Sequence, residues 1–312
     1  MDILTVVISV IVAAIVVILA LYFFSPRTLF NWLQNSLRRK GGLVEKSIEA
    51  GGFNWPYLEG GPADGEVVVL VHGFGGDKDN WAMYSPHITA KYRFISMDLP
   101  GFGENDRSMD REYDIASQVE RLRQFLDALG IAKCHIGGNS MGGHISLQFA
   151  LSHPEYLKSL TLYNNAGVIG ENESELQGAV ENGENALAIQ SVEDVKRMMA
   201  FVTHKPAPIP GQFRKIFFED ANAHKDLLDK IFWSIVETAV NNPLNEKLKD
   251  LDVPTLIIWG RHDRLIDVSC AEAIHAGVEN SELVIFEDVG HIPMIEKPKE
   301  TAAAKLAFLA KH

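Results

Sequence analysis

The sequence predicts an α/β chain: a largely parallel sheet with helices on its faces, preceded by one helix of membrane length. Three observations carry this. From about residue 43 onward, short apolar runs alternate with stretches of helical spacing. Those runs are continuous rather than alternating, which suits strands buried on both faces. Ile3 to Phe24 is an uncharged run whose polar residues are Thr5 and Ser9.

That first run has the length of a bilayer core, about 33 Å as a helix. A cleaved signal peptide would have a basic start, a shorter apolar stretch and a small-x-small site. Here Asp2 is the nearest charge and the run ends Leu21-Tyr22-Phe23-Phe24, so residues 1–25 read as an uncleaved anchor. Residues 26–42 follow as a basic amphipathic linker, with Leu29, Trp32, Leu33 and Leu37 on one helical face and Arg38-Arg39-Lys40 at its end. Two roles are open to it: lying in the headgroup layer, or packing as a plain helix on the main domain. The bases on the C-terminal side of the anchor predict that the main domain faces the cytoplasm.

The predicted strands are Val67 to Val71, Arg93 to Met97, Cys134 to Gly137, Ser159 to Tyr163, Thr255 to Trp259 and Leu283 to Phe286, with an antiparallel edge pair near 44 to 58. Helical patterns occupy Ile115 to Leu129, Met141 to Leu151 and Thr301 to Leu309. The stretch from about 168 to 247 breaks this rhythm with a Pro-rich knuckle, Lys205 to Pro210, and only helical apolar pieces. It reads as a helical insertion in one domain spanning 43–312.

Composition narrows the function. The 312 residues carry a net charge of −12. The first 40 hold one acid and four bases; the rest holds 25 bases and 40 acids. An acidic body offers no surface for phosphate neutralisation, so nucleic acid is not expected as a partner. Two distant cysteines make no disulfide framework, and no metal-ligand spacing occurs.

Chemistry concentrates at Gly138-Asn139-Ser140-Met141-Gly142-Gly143, directly after a strand and before a helix. Glycines two before and two after a serine permit a tight strand-to-helix turn that presents the hydroxyl at the helix N-terminus, the placement of a nucleophile. Serine needs a base backed by a carboxylate. Among eleven histidines, His291 lies in the loop after the last strand, on the sheet edge that carries the serine turn. His144 lies within the following helix, His135 within a strand, and His262 beside the acid candidate. Asp263, four residues past the Thr255–Trp259 strand, is the expected acid, and Asp267 is read as a helix cap. The loop after Tyr163 offers Asn164 and Asn165, neither acidic. For the oxyanion, the expected donors are the N–H groups of Met141 and of Phe74, in the turn His72-Gly73-Phe74-Gly75-Gly76.

These motifs, with Asp98 to Gly103 (DLPGFG), Trp259 to Asp263 (WGRHD) and Val289 to Pro293 (VGHIP), in the chain order Ser, Asp, His, resemble the α/β-hydrolase superfamily across roughly residues 43 to 312. Within it the chain is similar to bacterial lipases and membrane-anchored monoacylglycerol lipases. The resemblance implies an α/β-hydrolase fold with a helical cap at about 168–247 over an acyl pocket. It also implies a serine esterase or lipase that acts on lipid esters without a cofactor. Carbon-carbon hydrolases of ring-cleavage products share the GNSMGG turn but usually carry a tryptophan directly after the histidine, where Ile292 stands here. They and a non-catalytic membrane scaffold on the same fold are the alternatives.

Overall fold

A computed structural model describes residues 2–312. Helix α1 (Ile3–Phe24) opens on Asp2, whose carboxylate accepts the Thr5 N–H at 2.7 Å, and it buries no side chain. By length and composition it is long and apolar enough to cross a membrane. Ser25 alone separates it from α2 (Pro26–Lys40), which starts on a proline and ends at Gly41.

Helix α2 docks on the domain. Leu29 is buried, while Trp32 and Leu33 stay exposed. Of the two roles open to the segment, Arg38 takes the second and is turned inward onto the domain. Its guanidinium grips Asp79 with Nε and Nη2 at 2.6 and 2.5 Å, and only 13% of its side chain is exposed. A half-buried carboxylate offers it a bidentate partner that a hydrated lipid surface does not.

The sheet comprises β1 (Val44–Ala50), β2 (Phe53–Gly60), β3 (Val67–Val71), β4 (Arg93–Met97), β5 (Cys134–Asn139), β6 (Leu157–Tyr163), β7 (Thr255–Gly260) and β8 (Ser281–Phe286). Their spatial order is β1-β2-β4-β3-β5-β6-β7-β8. β1 and β2 pair antiparallel, as does β2 with β4, and every later pairing is parallel. The chain steps from β3 outward to β4, then returns to place β5 on β3's other side. That switch point brings the loops after β3 and β5 together at the carboxyl edge, where open α/β sheets bind ligands. Strands β5 and β7 are buried throughout, whereas β8 is half-buried along its length because it closes the edge with β7 as its single neighbour.

Helices α3 (Ser85–Ile88), α4 (Ile115–Ala128) and α5 (Met141–Ser152) cover the first half of the sheet. The insertion between β6 and β7 is wholly helical: α6 (Glu175–Glu181), α7 (Val192–Val202), α8 (Gly211–Ala223) and α9 (Lys225–Asn241). Ser174 and Ser191 accept N–H groups from the first turns of α6 and α7, and the knuckle prolines exclude helix between α7 and α8. Helices α10 (Ser269–Gly277), α11 (Pro293–Glu296) and α12 (Pro298–Leu309) complete the chain. One core cluster packs α4, α5 and α10 on one face of the sheet; a second packs α3, α11 and α12 on the other. Each fully buried Leu, Ile, Val or Phe contributes ~1.5–3 kcal/mol to the fold.

Candidate active site

Ser140 is the single residue between β5 and α5, with φ 56° and ψ −120°. This conformation costs a non-glycine residue on the order of 1–3 kcal/mol. The surroundings enforce it: Ser140 N–H donates to Tyr163 O at 3.1 Å, and Ser140 O accepts from His144 and Ala166 N–H at 3.0 and 3.1 Å. Gly142 is required because a Cβ there would run into the backbone of Val71 and His72, the end of β3.

That close approach places the turn 72–77 beside the serine; a Cβ on Gly73 would lie 3.1 Å from Ser140 Cβ. His72 shapes the turn. Its Nε2 accepts Leu99 N–H at 3.0 Å, so the ring is the neutral Nδ1–H tautomer, which donates to Gly73 O at 2.8 Å. Burial holds its pKa below the usual histidine value and keeps it neutral. Neither Phe74 N–H nor Met141 N–H has a partner among the described residues. Both remain available to an incoming oxyanion.

His291 sits in the loop after β8 with its backbone fixed twice, by its N–H to Val202 O of α7 at 2.8 Å and by Asn139 Nδ2 to its carbonyl at 3.0 Å. Its Nδ1 meets Asp263 Oδ2 at 2.7 Å, with both side chains buried. Asp263 Oδ1 accepts the N–H groups of Leu265 and Ile266 at 2.8 and 3.1 Å; Oδ2 also accepts Asn164 Nδ2 at 2.7 Å. Four donors therefore saturate the carboxylate and fix its plane. Ser140 and His291 line one cavity without a direct hydrogen bond between them, a looseness common before substrate binds.

The other candidates lie elsewhere. His144 is buried with neither ring nitrogen partnered, and burial pushes its pKa down to about 4. His135 pairs with Ser159 Oγ at 2.8 Å inside the sheet. His262 stacks on His204, ring centroids 4.0 Å apart. Asp267 accepts Ser269 N–H at 2.9 Å at the start of α10. Two participants escaped the sequence reading. Asn164 is one; Glu296 is the other, accepting Gly290 N–H and His204 N–H at 2.8 Å each and so tying the His291 loop to the end of α7.

The cavity measures about 710 Å³ and lies between the sheet edge and the insertion. Phe74, Ser140 and His291 form its floor; Leu187, Met198, Met199, Val202, Phe217 and Leu228 give it an apolar wall from the insertion. Charged groups, Arg107, Asp220 and Lys225 among them, line another part. Among the described residues no group of three or more His, Cys, Asp or Glu side chains converges as a metal site would.

A family model described as alpha/beta hydrolase fold matches residues 66–298. The chain belongs to that family. This hydrolase is 37% identical over 278 residues to Lipase 1 of Psychrobacter immobilis, covering 87% of this chain and 86% of that protein. It is 30% identical over 286 residues to a monoacylglycerol lipase of Xenopus laevis, covering 88% and 84%. The crystal structure of a membrane phospholipase A, a bacterial virulence factor, superposes with a TM-score of 0.89 at 37% identity over 99% of this chain and 97% of that one. The hydrolase is thus a carboxylic ester hydrolase.

Proposed function

We propose that this hydrolase is a membrane-anchored serine esterase cleaving carboxylic esters of lipids, chiefly monoacylglycerols or similar single-chain esters. The observation that carries this reading is the 710 Å³ cavity with Ser140 and His291 on its floor and an apolar wall above them. Ser140 Oγ attacks the ester carbonyl as His291 Nε2 takes its proton. Asp263, bonded to Nδ1, fixes the imidazole tautomer and stabilises the imidazolium. The carbonyl oxygen, now negative, receives the Phe74 and Met141 N–H groups. His291 returns the proton to the departing alcohol, then activates a water that releases the acid from Ser140.

In this reading residues 1–25 anchor the chain, 26–42 form the juxtamembrane segment, and 43–312 form the hydrolase domain with the insertion at about 168–247 as a cap. An apolar helix with no buried side chain suits a bilayer, and the similarity to a lipase and a monoacylglycerol lipase favours lipid esters. The charge rule puts the domain on the cytoplasmic face. Protease protection of the intact domain in inverted vesicles would reverse that assignment.

Fluorophosphonate labelling of the wild type and of Ser140→Ala tests the chemistry. Labelling that requires Ser140 is expected; equal labelling of both would sink the serine mechanism. Asp263→Asn is expected to lower kcat by about 10⁴, because the amide favours the wrong imidazole tautomer. A panel of monoacylglycerols, phospholipids and vinylogous diketones then selects the substrate, and a preference for the diketones would replace the lipase reading with carbon-carbon hydrolysis.

A further inference from the structure

Helix α2 does more than follow the apolar helix. Arg38, near its C-terminal end, holds both oxygens of Asp79, and Gln34 one turn earlier donates to Asp79 Oδ2 at 2.8 Å. Asp79 lies just past the turn 72–77 that bears Phe74. A second route runs beside the first. Arg38 Nη1 donates to Glu45 Oε2 at 2.8 Å, and Glu45 Oε1 lies 3.2 Å from Lys78 Nζ. Lys78 is itself buried. Its ammonium donates to Asp98 and Glu104 at 2.9 and 2.7 Å, and its N–H to Asp98 Oδ1 at 2.7 Å.

The turn is therefore pinned at both ends. Its start abuts Ser140 through Gly73, and its end is bolted to α2 directly through Asp79 and, by way of Glu45, through Lys78. We propose that Arg38 is a positioning residue for the oxyanion turn, fixing from α2 the Lys78–Asp79 end of the loop whose Phe74 N–H receives the oxyanion. This rests on the serine-esterase reading above. Physical chemistry favours an active role over mere adhesion. Removing Arg38 leaves the Asp79 carboxylate with the neutral Gln34 amide as its side-chain partner and leaves Glu45, Asp98 and Glu104 sharing the Lys78 ammonium, so the uncompensated charge of Asp79 draws it from its present place toward water. The displacement is passed to Phe74 within five residues of chain. Oxyanion donors act by placement, so a small shift is felt in the rate and hardly in ground-state binding.

The test uses the full-length protein in detergent with p-nitrophenyl butyrate as probe, comparing wild type, Ser140→Ala, Arg38→Ala, Arg38→Lys, Asp79→Ala and the Arg38→Ala/Asp79→Ala double variant. Arg38→Ala should lower kcat about tenfold with KM within about twofold, a fraction of the ~10²–10³ that outright loss of an oxyanion donor causes. The rate of fluorophosphonate labelling should fall in parallel. Arg38→Lys, which keeps the charge without the fork, should lie between. The double variant should lose no more than either single one, since both break the same link. An unchanged kcat in folded Arg38→Ala, or losses that multiply in the double variant, overturns the proposal. If Arg38→Ala does not fold, Arg38→Lys and Gln34→Ala decide by the same split between kcat and KM. Activity that survives Ser140→Ala would instead refute the underlying mechanism, whatever Arg38 does.

Discussion

Asn164 donates its side-chain amide to the same oxygen of Asp263 that His291 engages, and both contacts are 2.7 Å. The amide holds the carboxylate in the plane of the imidazole while adding no charge. Asn164 also has φ 45°, so replacement by alanine would mix loss of the bond with backbone strain. Asn164→Gly separates the two. Steady-state hydrolysis of a soluble ester by Asn164→Gly should show kcat lowered about tenfold, the scale of one charge-assisted hydrogen bond of ~1.5 kcal/mol, with KM retained.

Ser140 bears strain that a glycine would not. Replacing it with glycine removes ~1–3 kcal/mol of strain and returns ~0.5–1 kcal/mol as extra freedom of the unfolded chain. Thermal unfolding of Ser140→Gly should shift upward by roughly 2–4 °C while ester hydrolysis disappears. A lower midpoint would mean that the side chain, not the backbone, dominates the energetics of the turn.

Lys305 is fully buried on α12, where its ammonium donates to Thr161 Oγ1 at 2.9 Å. Burial pushes its pKa down to about 7. The unfolded chain, with an ordinary lysine near 10.4, then holds more protons than the folded one between those two values, so stability climbs as pH rises from about 7 to 10. Below 7 the penalty is complete and constant. Lys305→Met should therefore raise the unfolding midpoint at pH 7 by a few degrees and flatten the slope of stability between pH 7 and 10, both readable by calorimetry.

Met198, Met199 and Val202 face the cavity from α7, whereas Phe201 between them is buried under the Arg264 guanidinium. Introducing bulk at Met198 should shorten the longest acyl chain accepted. In a series of p-nitrophenyl esters, Met198→Trp is expected to raise KM for long chains and spare the shortest, and an even loss across the series would mean that the chain takes another path.

Strands β3 and β4 coincide with the predicted runs to the residue, because both lie inside the sheet with a neighbour on each side and are buried along most of their length. The helical character of 168–247 was legible from the absence of alternation, and the sequence order of loops was enough to anticipate that Ser140, Asp263 and His291 would share one edge. Asn164 was not legible. The acid behind a catalytic histidine is a carboxylate, and a neutral amide that donates to one leaves no periodic or compositional mark. The role of Arg38 stayed open for a related reason: three consecutive bases after an apolar helix look alike in sequence, and only folding brings Asp79, 41 residues on, to one of them.

Ser25 is the whole distance between α1 and α2, and it has no slack. Its N–H donates to Leu21 O and its carbonyl accepts from Leu29 N–H, at 2.9 and 3.2 Å, and Tyr22 Oη accepts the Gln212 N–H of α8 at 3.2 Å. With α1 in a bilayer, the body of the protein is therefore mounted on a bracket rather than a leash. Apolar helices tilt to match the local hydrocarbon thickness, and any tilt of α1 would be transmitted as a rotation of the whole cavity relative to the lipid surface. Bilayer thickness would then be a mechanical input to the direction in which the cavity points.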